Sequence, residues 1–367
     1  MPNIANDMKD WQYTFEPVSR AEWLHQIEID LKQKPIETLY AEWWPGEPLV
    51  PVIHPEDITF PPVILPTQLF TNPPSILEWI KVRGEDSSML NASILEALRY
   101  GAQVILIDPV GPGTMQWDAW LQDVQLDLIE VQLAYSANLG TSLAELLNHT
   151  PAEMIIRIGM KQDSEPSIID IISILRSNQI NNNSFRLVYT FPSSGVWDNS
   201  TLEVLDQIKT DLDHWMEAGL DAKDFFKICI LSTEADPMYF KQIVQARTLQ
   251  LLWLNFKKHY LNVQLALEGG NIECHIHPHS GEEPSRFLIR ASMSGLAASM
   301  CGIQVLAVHH RTDGDVPAYF ARINRNIHHL LHLESNMYKG TDPLAGTYAF
   351  DLYTHSWTQR VWKQLAI

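Results

Sequence analysis

From Leu77 onward the chain repeats one rhythm, in which a short β-prone run is followed by a stretch with helical spacing. The β-prone runs are LEWIKVR (77–83), QVILID (103–108), LIEVQLAY (128–135), MIIRIG (154–159), FRLVYTF (185–191), FFKICILS (225–232), IECHIHPH (272–279) and IQVLAVHH (303–310). Between them, Leu90, Ile94 and Leu98 share a helical face that Gly101 ends. Leu202, Leu205, Ile208 and Leu212 make another stripe, closed by Gly219. Eight strands alternating with helices over about 280 residues is the count of a (β/α)8 barrel. A doubly wound open sheet would place a Gly-x-Gly-x-x-Gly turn after an early strand, and the sequence has none. The expected fold class is therefore α/β, a TIM barrel over residues 76–355, with a post-barrel linker starting at 356–367.

Residues 1–75 differ in kind. They are rich in Trp and Pro, among them Trp43, Trp44, Pro45, Pro61, Pro62, Pro73 and Pro74. Trp23, Ile27 and Leu31 share a face over Arg20–Lys32, which predicts one helix. The prolines forbid regular ladders over the remainder. The segment reads as an arm whose exposed aromatics would cover another surface, that of a partner or of its own barrel.

Composition excludes several functions. The net charge is −18, so phosphate backbones and anionic lipid are repelled, and neither nucleic acid nor membrane is an expected partner. Three cysteines in 367 residues, an odd and sparse set, fit a reduced cytoplasmic setting. The opening MPNIANDMKDWQY has neither the basic nor the apolar region of a secretory signal.

In a barrel of this kind the C-terminal ends of the strands form the functional face. That rule places Asp108, Tyr135, Arg157, Ser193, Ser232, His277, His279, His309 and His310 at the mouth. His275, His277 and His279 alternate along one run and so point one way. His309 and His310 end the neighbouring run. Converging imidazoles are the donors a Zn²⁺ site uses. Three features count against a metal: Pro278 interrupts the run, no carboxylate stands out beside it, and the ligands crowd onto one strand. The expectation is that no metal binds and that these histidines are structural or contact a ligand. His328 and His332, four apart on a predicted helix, lack the Glu of a His-Glu-x-x-His site and read as an exposed face. Arg286 and Arg290 read as a solvated or salt-bridged helix face.

Several stretches resemble one family. IRASMSGLAASMCGIQ (289–304), FARINRNIH (320–328), LES followed by DPLAGTY (342–348), EAGLDAKDF (217–225) and QARTLQLLWLNF (245–256) are similar in order and spacing to segments of the catalytic barrel of methylmalonyl-CoA mutases. WLHQIEIDLKQKPIETL with the following HPED resembles that family's N-terminal arm. The resemblance implies a barrel fold and a radical rearrangement of a CoA thioester, for which adenosylcobalamin supplies the radical. This chain departs from the family where the chemistry lies. It contains no Asp-x-His of the cobalamin lower-ligand motif, and it ends at Ile367, where the family continues into a cobalamin domain. The Arg-Pro-Trp-Thr-Ile-Arg-Gln-Tyr segment that grips the acyl group has no counterpart. The family's Gly-Tyr-His, whose imidazole polarises the thioester, aligns with Gly195, Val196 and Trp197. The pattern resembles the small, non-catalytic chain of heterodimeric mutases. It implies a scaffold that binds no cofactor itself, with adenosylcobalamin held by a large catalytic partner; the alternatives are a catalytic barrel half that needs a separate cobalamin domain, and a repurposed barrel that binds a small ligand or metal at its histidine-rich mouth. A homodimer through the N-terminal arm is the other assembly. No catalytic residue is assigned; His277, His279, His309, His310 and Trp197 are the candidates at the mouth. The abundance of Ile, Val, Leu, Phe and Tyr in the strands predicts a bore plugged by apolar side chains.

Overall fold

The computed structural model describes residues 16–365 except 45–46, 51, 82–86, 109–115, 127–128, 136–154, 161–166, 178–184, 192–196, 262–270, 310–317 and 339. The chain divides into two compact units. One comprises Met1–Pro62 with Thr347–Leu352, and the other Val63–Gly346 with Tyr353–Ile367.

In the first unit, helix α1 (Arg20–Asp30) begins at a capping box in which Ser19 and Glu22 satisfy each other's backbone N–H groups. Arg20 pairs with Asp57 at 2.6 Å, and Trp23 lies against the His54 ring at 6.0 Å. Strands β1 (Ala41–Trp44) and β2 (Glu47–Leu49) pair antiparallel, a short ladder that overturns the expectation that the prolines allow none, since Pro48 sits on a two-stranded edge. Trp43 is buried rather than exposed, contrary to the reading of an arm with outward aromatics.

The second unit is a closed barrel of parallel strands. In chain order they are β3 (Ser75–Lys81), β4 (Val104–Asp108), β5 (Glu130–Tyr135), β6 (Ile155–Met160), β7 (Phe185–Phe191), β8 (Cys229–Glu234), β9 (Ile272–Ile276) and β10 (Val305–Val308), and β10 closes onto β3. The helices between and after them are α2 (Ser87–Arg99), α3 (Trp117–Trp120), α4 (Ile168–Arg176), α5 (Trp197–Glu217), α6 (Ala222–Ile228), α7 (Tyr239–Leu261), α8 (Pro284–Met300) and α9 (Ala318–His329). Helix α10 spans Tyr348–Gln364. The TIM-barrel expectation is met. Two local expectations are not. The front of FFKICILS is α6, because Asp221 caps a helical turn that buries Phe225, Phe226 and Ile228. Helix α10 continues through most of the stretch from 356 expected to be linker.

Strand alternation decides what fills the bore. The Arg157 guanidinium of β6 reaches the Glu273 carboxylate of β9, although β7 and β8 lie between those strands in the sheet. The pair therefore crosses the interior, and residues of the same parity on each strand point inward. The bulky residues have the opposite parity: Ile156, Ile158, Leu187, Tyr189, Leu231, Ile272 and Ile276 are buried facing the helices. The expectation of a uniformly plugged bore fails for this reason. One side of the interior is apolar, built from Leu77, Val104, Leu106 and Ala307 with Trp79 and Val305 against them. The other side is polar, and a cavity of about 350 Å³ opens there.

Helix α7 is buried on nearly every side, including Gln242, Arg247, Thr248 and Gln250. Two of its amides bind neighbouring backbone: Gln242 Nε2 donates to Ser294 O at 2.8 Å, and Gln250 Nε2 to Gly302 O at 3.0 Å. Gly302 follows the C-terminus of α8 with φ +67°, and a Cβ there would lie 2.6 Å from Leu69 Cβ. Both facts demand glycine. Gly302→Ala is expected to destabilise the fold by about 2–4 kcal/mol, from left-handed strain and overpacking together, measured as a lowered urea midpoint with unchanged slope.

Candidate functional site: the histidine mouth of the barrel

The mouth is organised by β9 and β10. Glu273, His275 and His277 occupy alternate positions at the end of β9, and His309 follows the last residue of β10. His309 N continues the ladder by donating to Ile276 O at 2.9 Å. Glu273 is buried and accepts from both Arg157 and His275 Nε2, the latter at 2.9 Å. His275 Nδ1 and His309 Nε2 are 2.8 Å apart. A carboxylate only accepts, so His275 Nε2 carries a proton; in the neutral ring Nδ1 is then the lone-pair nitrogen. The rings of His277 and His309 stack at 4.1 Å and 3°, those of His275 and His309 at 5.0 Å and 12°. Trp79 of β3 presents its ring edge-on to His309 at 5.0 Å.

Charge at the site is set by the buried pair. Burial would raise the Glu273 pKa, but the positive charge of Arg157 and the contact with His275 override it and hold the carboxyl down at about 2. Glu273 is therefore a fixed anion. Arg157 Nη1 is buried with no hydrogen-bond partner among the described residues, at the edge of the cavity that Ser232, Thr190 and Gly159 also line.

The segments that looked most like a known family build the support of this mouth. Arg290 of α8 forks onto Glu282 and donates to His277 O at 2.7 Å. Arg290 is thus salt-bridged and Arg286 solvated on their helix, as expected. Gln304 Oε1 accepts from Ile272 N at 2.9 Å, fixing the start of β9. Asn324 of α9 donates to His309 O at 3.3 Å. Arg325 pairs with Glu78 on the outer face of β3 at 3.1 Å, tying α9 to the sheet.

Of the residues expected at the mouth, Arg157, Ser232, His277 and His309 come together there. His279 does not: β9 ends at Ile276, and His279 is exposed on the following turn, where its N–H binds Glu282 at 2.9 Å. His310 and the side chains of Trp197, Asp108 and Tyr135 lie outside the described residues, as does Ser193. Glu273 is the residue that sequence reasoning missed. Extending the 275, 277 alternation back by one step would have found it. The exposed face expected at His328 is also overturned. His328 is 7% exposed, and the turn after it is a π-helix (Leu330–Glu334) that breaks the assumed spacing to His332.

Fold and mouth together define a (β/α)8 barrel protein with a charged, histidine-lined C-terminal face. Residues 205–367 match the family model described as Methylmalonyl-CoA mutase. No curated protein matches the chain. Solved structures similar to it include the dihydropteroate synthase of Yersinia pestis, at 11% identity and TM-score 0.42, covering 72% of this chain and 94% of that one. They also include the dihydropteroate synthase (FolP) of Thermus thermophilus, at 10% identity and TM-score 0.41, covering 72% and 95%. Active domain 2 of the chitinase from Pyrococcus furiosus is similar at 11% identity and TM-score 0.42, covering 76% and 98%. Among the described residues no helix is long and apolar enough to cross a membrane.

Proposed function

We propose that this chain is the accessory barrel of an adenosylcobalamin-dependent methylmalonyl-CoA mutase. In this reading it stabilises a large catalytic partner and does not itself interconvert methylmalonyl-CoA and succinyl-CoA. The observation that carries the reading is where the family-like residues are spent. Arg290, Gln304, Asn324, Arg325 and Asp342 all bind backbone or buried side chains of the barrel itself. None of them lines the mouth cavity. The guanidinium inside the bore, Arg157, already neutralises Glu273 through Nη2, so a substrate carboxylate meeting its Nη1 would have to share that charge with a buried anion already in place.

The residues present do not fit cobalamin in the family's manner. The sequence has no Asp-x-His, and the mouth histidines are turned onto one another and onto Glu273. The cofactor would be supplied by the partner.

The test has two parts. Calorimetric titration of the isolated chain with methylmalonyl-CoA is expected to give no binding at micromolar concentration. Co-expression with a full-length mutase chain is expected to give one complex that unfolds at a higher temperature than the catalytic chain alone. Turnover by this chain when supplied only with a cobalamin domain would overturn the reading. So would a stable homodimer that ignores the mutase chain.

A further inference from the structure

We propose that His275, His277 and His309 form a binding site for a divalent transition-metal ion of the zinc class at the barrel mouth. The inference goes beyond the accessory role and does not depend on it. One ring nitrogen from each histidine lies within 4.8 Å of the others. The rings now stack nearly parallel, so each must turn about its side-chain bonds to aim its lone pair at one shared ion about 2.0–2.1 Å away, the Zn–N distance.

The geometry answers each reason the sequence gave against a metal. Pro278 lies beyond the end of β9 at Ile276, so it interrupts nothing between the ligands. The ligands come from two strands, since His309 follows β10. The missing carboxylate is Glu273. It holds His275 through Nε2 at 2.9 Å, which leaves the lone pair on Nδ1; that lone pair now accepts from His309 Nε2, a hydrogen bond the metal would replace with release of the His309 proton from that nitrogen. A carboxylate that fixes the tautomer of a metal-binding imidazole is the usual outer partner of such a ligand.

The ligands also sit on rigid supports. His275 lies in the ladder between β8 and β10. The His277 carbonyl is held by Arg290, and the His309 carbonyl by Asn324. Anchored backbones on strand ends are what a preorganised site requires. Three imidazoles select Zn²⁺, Co²⁺, Ni²⁺ or Cu²⁺ over Mg²⁺ and Ca²⁺, which take oxygen ligands. Three protein ligands leave a fourth position open. Here His275 and His277 line the cavity of about 350 Å³, so that position faces a space a small ligand can enter.

The experiment uses the whole chain, stripped with chelator and titrated with Zn²⁺ alone and with Co²⁺ as a spectroscopic probe. A single equivalent of Co²⁺ should give the intense visible bands of a four-coordinate site, and Zn²⁺ should displace it while Mg²⁺ does not. His277→Ala, at a half-buried position beyond the strand, should keep the far-ultraviolet circular dichroism and the urea midpoint. It should weaken Zn²⁺ binding by more than about 100-fold, and Glu273→Gln by about 10–100-fold. His309→Gln serves as an independent ligand variant and should also lose the Co²⁺ bands. A wild-type chain that takes up no Zn²⁺ overturns the proposal. So does one whose affinity is unchanged in the folded His277→Ala and His309→Gln variants, since the metal would then sit on others of the 14 histidines.

Discussion

Asp342→Ala is expected to destabilise the barrel by about 5 kcal/mol, enough to bring a domain of ordinary stability close to unfolding. The carboxylate is fully buried and has three partners. Its Oδ1 pairs with Arg247 Nη1 at 2.7 Å and accepts from Leu344 N at 3.0 Å, while Oδ2 accepts from Leu65 N at 3.0 Å. Arg247 is itself fully buried on α7, and its Nη2 donates to Val63 O at 2.8 Å. Removing the anion strands a guanidinium in the interior, at a cost of about 3–5 kcal/mol. It also leaves two backbone N–H groups without an acceptor, each worth about 1–3 kcal/mol before relaxation. Asp342→Asn keeps the shape and part of the hydrogen bonding, and should lose less. Replacing both partners by apolar residues, Arg247→Met with Asp342→Leu, should recover much of the loss, because no buried charge remains. Urea unfolding of Arg247→Met, of Asp342→Leu and of the double variant closes the cycle. If Asp342→Ala lies within about 1 kcal/mol of wild type, the buried pair is not a lock on the fold.

The stretch DPLAGTY carried much of the resemblance to the mutases, and its Asp342 binds the barrel's own framework. Family likeness in this chain is recorded mostly in such internal fasteners. Arg290 under His277, Gln304 under β9 and Arg325 on β3 are others.

The barrel was legible because its signal is repeated. Alternating β-prone and helical stretches survive local misreadings, and FFKICILS could lose its front half to α6 without disturbing the strand count. The interior was less legible. A run of apolar residues reads the same whether it faces the bore or the helices, and the parity shows in polar pairs that the folded barrel makes, Arg157–Glu273 across the interior and Arg325–Glu78 on the outside. Glu273 was overlooked for a related reason. A single acidic residue between Ile272 and Cys274 looks like a strand start, and its role exists only once β6 stands opposite. His279 misled in the other direction, because periodicity was extended past Ile276, where the strand stops.

The second large effect is on acid stability, and it comes from His328. This histidine of α9 is buried, its Nδ1 has no hydrogen-bond partner among the described residues, and it borders a cavity of about 150 Å³ lined by Pro73, Pro74, Ile76, Leu306 and Tyr338. Burial pushes its pKa down to about 3, with repulsion from His329 adding to the shift. In the unfolded chain the same ring titrates near about 6.5. The folded-state value is the lower one, so below about pH 6.5 the unfolded state binds a proton that the folded state refuses. Stability is therefore complete above that pH and falls by about 1.4 kcal/mol per unit toward pH 3, a loss on the order of 4 kcal/mol in all. His328→Leu fills the same apolar setting without a titrating group. Its urea-derived stability should fall less steeply across this range than that of wild type, by close to one proton in slope. A purely structural effect of the substitution would shift every pH equally and leave the two slopes parallel. Parallel profiles would mean that His328 is protonated in the folded state at mild pH, and that the cavity beside it admits enough water to carry the charge.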